Sequence, residues 1–177
     1  MLSGSRILLR ARIETDVPIL HAGLYEDLAT RLLSSGRAWW PVPVERSPFR
    51  SDPDDENELF AVFTIAELES NAPVGDTALW AIDTHNRFAH LGMTLLAEHR
   101  GKGYAGEALQ LLCRYAFEIR GLHRLQLETL ADNAAMVGTA RAAGFTQEGV
   151  LRSSAWVSGR FHDEVIFGLL ADDWRPG

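Results

Sequence analysis

Hydrophobic positions along this chain follow two rhythms, a period of two and a period of three to four, which mark strands and helices respectively. Ile7-Leu8-Leu9-Arg10-Ala11-Arg12 reads as a short strand. Val17, Leu20 and Leu24 then form a helical stripe, with Asp16 placed to N-cap it and Pro18 in its first turn. Leu28 to Leu33 either continues that helix or forms a second one. Strands resume at Leu59 to Ile65, Val74 to Ile82 and Phe88 to Leu96. Asn71-Ala72-Pro73 and Asp83-Thr84-His85-Asn86 between them have turn chemistry, so an antiparallel meander is predicted. In the third of these strands Ala89, Leu91, Met93 and Leu95 share one face, and His90, Gly92 and Thr94 the other. A glycine inside a strand marks a bulge or a close backbone approach, and a bulge is expected at Gly92.

Further on, Ala108, Leu111, Leu112, Tyr115 and Ile119 recur at helical spacing, and Gly121 is a stop signal. Arg124 to Leu130 alternates, with Leu125 and Leu127 opposite Gln126 and Glu128. Asp132 or Asn133 can cap a helix that runs to about Ala143 and ends at Gly144. Phe145 to Leu151 and Glu164 to Leu170 are the last strands. The order β-αα-βββ-α-β-α-ββ predicts one mixed α/β domain over residues 1–177, without repeats or linkers. Residues 34–58 form a long polar connection holding Trp39, Trp40 and the acidic positions Asp52, Asp54, Asp55, Glu56 and Glu58. Connections of that length in small domains belong to functional or mobile segments.

Composition narrows the classes. The formal net charge of -7 argues against a nucleic-acid partner and suits a cationic substrate. Cys113 is the only cysteine, which excludes an internal disulfide and fits a reducing, cytoplasmic setting. No apolar run approaches the roughly 20 residues that span a bilayer. No secretory signal is read at Met1 to Arg6, and no membrane or metal partner is expected.

The most informative segment is His99-Arg100-Gly101-Lys102-Gly103-Tyr104-Ala105-Gly106-Glu107-Ala108. It puts glycines and cations between a strand and a helix, where unpaired backbone amides can hold phosphate oxygens. It is neither a dinucleotide fingerprint nor a Walker A loop, since the βαβ acid and the Gly-Lys-Ser/Thr are both missing.

With Asn133, Ala143-Gly144-Phe145, Glu148-Gly149-Val150-Leu151-Arg152 and the Gly159 to Asp163 turn, this segment resembles the GCN5-related N-acetyltransferases (GNAT), RimJ/RimL-like branch. The resemblance covers nearly the whole chain. It implies a mostly antiparallel sheet with a splayed parallel strand pair, here 88–96 and 124–130. Acetyl-CoA, the cosubstrate, would be held at its pyrophosphate by Arg100, Gly101, Lys102, Gly103, Tyr104 and Ala105. Its pantetheine arm would pair with the backbone of Met93 and Leu95 and touch Asn133. Acetyl transfer to a primary amine, on a small molecule or a protein N-terminus, would follow by direct attack. Dimers are common in the branch.

His90 stands near where many members carry a catalytic glutamate, and an imidazole ordinarily titrates near pH 6.5, which suits proton removal at neutral pH. Glu128 on the facing strand is the other candidate base. Trp39, Trp40 and the acidic connection stand where acceptor walls are found. The chain departs from the pattern twice. Ala140 replaces a tyrosine, and Met136 replaces a serine, that would protonate the leaving thiolate. Another acyl donor such as succinyl-CoA, or a non-catalytic acyl-CoA sensor, are the alternatives.

Overall fold

The computed structural model describes residues 1–34, 38–50 and 58–176. Eight strands form one sheet: β1 (Leu2–Ser3), β2 (Ile7–Arg10), β3 (Ala61–Glu67), β4 (Pro73–Asp83), β5 (Phe88–Leu95), β6 (Arg124–Leu130), β7 (Thr146–Val157) and β8 (Arg160–Leu170). Their order in space is β1-β2-β3-β4-β5-β6-β8-β7. Every neighbouring pair is antiparallel except β5 and β6. The helices are α1 (Asp16–Leu20), α2 (Leu28–Ser34), α3 (Tyr104–Arg114) and α4 (Ala134–Ala142). Wider π-type turns continue α1 over His21–Glu26 and α3 over Tyr115–Ile119. No helix among the described residues is long and apolar enough to cross a membrane.

The predicted element order holds from β2 onward, and β1 is an added two-residue strand that pairs with β2; other differences lie at the ends of elements. The last hairpin is much longer than its apolar runs suggest. A register shift between Leu151 and Ala155, with Ser153 at a φ of 51°, carries the polar Arg152-Ser153-Ser154 through the strand. Leu28–Ser34 is a separate helix, because Asp27 at an extended φ/ψ interrupts the preceding turn.

Asp16 is not the cap of α1. Thr15 holds that position, and the Asp16 carboxylate turns inward. It takes Arg10 Nη1 and Nη2 at 2.6 and 2.9 Å, the Ile13 amide at 3.1 Å and the Thr64 hydroxyl at 3.0 Å. Burial pushes this carboxyl up, and these donors outweigh it and hold it below its ordinary value. The pair fixes β2 and β3 to the start of α1.

The alternation read in β5 and β6 decides which face carries the core. Leu79, Leu91, Leu125, Leu127 and Phe167 pack against Ala108, Leu109, Leu112 and Cys113 of α3, all essentially inaccessible to solvent. Each fully buried leucine contributes about 2 kcal/mol. The other face is covered more sparingly. Leu20, Leu24 and Leu96 form one small cluster with Phe49, and Leu32 of α2 joins Leu130, Ala155 and Val157 in another.

Candidate active site

β5 and β6 pair only from Phe88 with Arg124 to Leu91 with Leu127. Beyond that point β6 pairs with β8 alone, and the two parallel strands separate. Leu96 N–H donates to Val74 O at 2.9 Å, which fixes the alternation on β5. Even-numbered residues direct their backbone groups to β4, and Met93 and Leu95 direct theirs into the gap left by β6. The gap is a cavity of about 350 Å³. Met93, Leu95, Ala105, Asn133 and Met136 line one end, and Trp80, Thr94, Glu128, Leu130 and Glu164 line the other. It is a passage from one face of the sheet to the other.

No bulge at Gly92 causes this divergence. Gly92 stays in register with Ala78, and the irregularity lies further along, between Trp80 and Asp83, where Ala81 has a φ of 49°. Gly92 instead allows a close approach. A Cβ there would stand 3.0 Å from the Cη2 and Cζ3 atoms of Trp80.

The loop between β5 and α3 turns at two left-handed glycines, Gly101 with a φ of 73° and Gly103 with a φ of 79°. Gly103 occupies the N-cap of α3. Its carbonyl and that of Lys102 accept Arg6 Nη2 and Nη1 at 3.3 and 2.7 Å. Arg6 is fixed in turn by Glu107, whose Oε2 lies 3.0 Å from Nε. Glu107 Oε1 also accepts the backbone amides of Ser5, Arg6 and Ile7. Pulling the loop carbonyls toward Arg6 leaves the opposite side for N–H groups. Among the described residues nothing takes up the amides of Gly101 through Gly106, and the dipole of α3 adds partial positive charge there.

The predicted donor-site residues differ in how they present themselves. The Arg100 amide already donates to Ala97 O at 3.3 Å, so the free amides begin at Gly101. The Arg100 side chain turns inward, with Nε on Leu95 O at 3.1 Å and Nη2 on Thr30 Oγ1 at 2.7 Å. Tyr104 is buried, and its hydroxyl donates to Glu67 at 3.1 Å, so its contribution to the loop is backbone only. Lys102 is exposed. Arg6 drew no attention in the sequence, because a cation before a strand carries no local signal.

Asn133 is the N-cap of α4. Its Oδ1 accepts the Met136 amide at 3.2 Å, and its Nδ2 donates to Thr129 Oγ1 at 3.1 Å. One hydrogen of that amide remains, and the residue lines the cavity. Ala140 is fully buried in the core, away from the cavity wall, whereas Met136 and Thr139 line it.

His90 and Glu128 come together across β5 and β6, with Nδ1 and Oε1 3.8 Å apart. Gln126 Nε2 donates to the same Glu128 oxygen at 2.7 Å. His90 lies flat against Trp80, ring centroids 5.9 Å apart at 17°, and edge-on to Phe88 at 4.9 Å. Glu128 and Trp80 line the cavity, and His90 stands one layer behind them.

Trp39 and Trp40 are not among the cavity-lining residues. Trp39 Nε1 donates to Tyr25 O at 3.0 Å, and Trp40 O accepts the Tyr25 hydroxyl at 2.7 Å. Asp52, Asp54, Asp55 and Glu56 lie outside the described residues. Among the described residues, Trp80, Thr30 and Leu32 of α2, and Val157 and Glu164 of the last hairpin are part of the cavity wall.

The family model of the acetyltransferase (GNAT) domain matches residues 6–146. The chain belongs to the GNAT family. This GNAT domain is 31% identical over 112 residues to the uncharacterized N-acetyltransferase p20 of Bacillus licheniformis, covering 63% of each chain. It is 33% identical over 101 residues to the putative ribosomal N-acetyltransferase YdaF of Bacillus subtilis, covering 57% of this chain and 55% of the relative. The match thus spans about three-fifths of these curated relatives. Among solved structures, the spermidine N-acetyltransferase of Vibrio cholerae in complex with CoA and spermine superposes with a TM-score of 0.84. It is 20% identical, over 96% of this chain and 98% of that one, and shows that the two share a fold.

Proposed function

We propose that this GNAT domain transfers an acetyl group from acetyl-CoA to a primary amine within a ternary complex. The observation that carries the reading is the gap between β5 and β6. The free backbone groups of Met93 and the Leu95 amide face it, and the untaken amides of Gly101 to Gly106 adjoin it. A pyrophosphate fits those amides, and an extended amide-bearing arm fits an unpaired strand edge. Asn133 has a donor left for the same arm. The acetyl-CoA thioester supplies the electrophilic carbonyl.

The chain's own groups do the rest. The Leu95 amide faces the place where negative charge develops on the carbonyl oxygen. Glu128, facing the cavity with His90 behind it, receives the amine proton, directly or through water. Holding both reactants in one passage contributes as much as about 7–11 kcal/mol to lowering the barrier. With Ala140 and Met136 in place of hydroxyl residues, water protonates the leaving thiolate.

We further place the chain, as a single domain, in the RimJ/RimL-like branch, on the Glu148 to Arg152 and Gly159 to Asp163 segments. We assign it to the cytoplasm, as a homodimer, with a small-molecule amine favoured over nucleic acid by the net charge of -7. The acidic Glu128 and Glu164 on the cavity wall support a cationic acceptor.

The test is thiol release from acetyl-CoA with spermidine, glucosamine and a short peptide as acceptors, and from succinyl-CoA in parallel. His90→Ala and Glu128→Gln are expected to lower turnover and leave CoA affinity within about twofold. Turnover should rise with pH between 6 and 9. Two observations, Ala140 and Met136, favour a second reading as an acyl-CoA sensor. Tight CoA binding without turnover of any donor and acceptor pair would support it.

A further inference from the structure

The geometry points to Arg100 and Thr30 as a mechanical link between the two halves of the passage, so that CoA on the donor side orders the amine-side helix α2. The inference rests on the acetyl-CoA reading above.

The link is a continuous run of hydrogen bonds. Arg100 Nε donates to Leu95 O at 3.1 Å, at the last residue of β5. Its Nη2 donates to Thr30 Oγ1 at 2.7 Å. The Thr30 hydroxyl donates onward to Asp27 Oδ2 at 2.6 Å, and Asp27 Oδ1 accepts the Ala29 amide at 3.2 Å. Asp27 thereby caps the first turn of α2. The Thr30 hydroxyl holds its carboxyl below the ordinary value, and the charge of Arg100 acts in the same direction. Thr30 is 1% exposed, so its hydroxyl has no alternative partner in water.

The run touches the cavity at Leu95, Arg100 and Thr30. Thr30 and Leu32 of α2 line it on one side, and Leu95 and Arg100 on the other. Elsewhere α2 is held by Leu32, which meets the small cluster of Leu130, Ala155 and Val157, and by Arg31, whose guanidinium lies 5.3 Å from the Tyr25 ring centroid. A short helix at a cavity wall is a segment whose local opening a bound ligand can suppress. Fixing Leu95 by pairing along β5, and fixing the loop at Gly101 to Gly106, restricts Arg100 from both directions. The restriction passes to Thr30. The guanidinium fork suits this role because it is planar and presents several donors in a rigid arrangement. It also takes the Leu95 carbonyl, so the edge offered to a ligand is the Met93 pair of groups and the Leu95 amide.

Arg100 and Thr30 are therefore positioning residues for the amine. The test is hydrogen–deuterium exchange of α2 with and without CoA, in the natural protein, in Thr30→Val, which keeps the shape and loses the hydroxyl, and in Thr30→Ser, which keeps the hydroxyl. Calorimetry with CoA is run on all three. The expected result is slower exchange in α2 on adding CoA for the natural protein and Thr30→Ser, by about fivefold or more. Thr30→Val is expected to lose that protection while binding CoA within about twofold of normal. With the best acceptor of the amine panel, Thr30→Val should raise the amine KM and leave the acetyl-CoA KM unchanged. Equal protection in Thr30→Val, or CoA binding without protection of α2 in the natural protein, overturns the link and leaves the acetyl-CoA reading intact. Absence of CoA binding to the natural protein overturns both.

Discussion

The indole of Trp80 lies across Gly92 and flat against His90, at an interplanar angle of 17°. Gly92 is thus the floor on which an aromatic wall of the passage rests. Gly92→Ala would bring a Cβ to 3.0 Å from the ring and displace it. Stability should fall by about 1 kcal/mol, since the ring tip can give way. Amine kcat/KM should fall about tenfold, equivalent to about 1.4 kcal/mol, with CoA affinity unchanged. Trp80→Ala should reproduce the kinetic effect, and Trp80→Phe should recover part of it. Steady-state kinetics with each substrate varied in turn will show this.

Glu107 sets the acid limit of the loop. Burial raises its carboxyl, but the amides of Arg6, Ile7 and Ser5 and the Arg6 guanidinium outweigh it, leaving it below its ordinary 4.5. Its stabilisation is therefore complete above about pH 4.5 and is lost as pH falls below that value. Thermal melts of the natural protein should drop across that range, and melts of Glu107→Ala should drop less. At pH 7 the variant should be less stable by about 2 kcal/mol and should bind CoA more weakly, because Arg6 no longer braces the carbonyls of Lys102 and Gly103.

Asn133 has a capping role that can be separated from a cofactor role. Asn133→Asp keeps the cap of α4 and removes the amide donor, whereas Asn133→Ala loses both and costs about 1 kcal/mol. The expected pattern is a melting temperature held in Asn133→Asp and lowered in Asn133→Ala. CoA affinity should weaken in both. Normal affinity in Asn133→Asp would reduce Asn133 to a cap.

Cys113 is fully buried on α3, and burial pushes its thiol up to about 12. It should be inert to thiol reagents in the folded protein and react once in denaturant. A reagent that counts free CoA thiol then reads the reaction alone, which a blank without acetyl-CoA will confirm.

Short-range features were legible in the sequence. The face assignment of Ala89, Leu91 and Leu95, the helical stripe of α3, a cap at Asp132 or Asn133 and the glycine turn before α3 each depend on neighbours within a few positions. What escaped joins distant positions. Arg6 meets Lys102, Arg100 meets Thr30, and Trp80 covers Gly92 only after the sheet has formed. Gly92 shows the difference well. A strand glycine signals either a bulge or a close approach, and the deciding atom belongs to another strand. Asp16 failed as a cap for a like reason, since Arg10 and Thr64 offer it stronger donors than a helix end does. In the long connection, the Trp39 indole and the Trp40 carbonyl bond to Tyr25 away from the cavity lining, a difference that a pattern read along one segment does not carry.

The passage between β5 and β6 pierces the sheet instead of lying on it. On the proposed reading the two reactants arrive from opposite sides of a wall and meet within its thickness. Neither blocks the other's door, so either can leave first. A single molecule that joined CoA to the acceptor would have to be threaded through the protein like a bolt through a plate, head on one face and tail on the other.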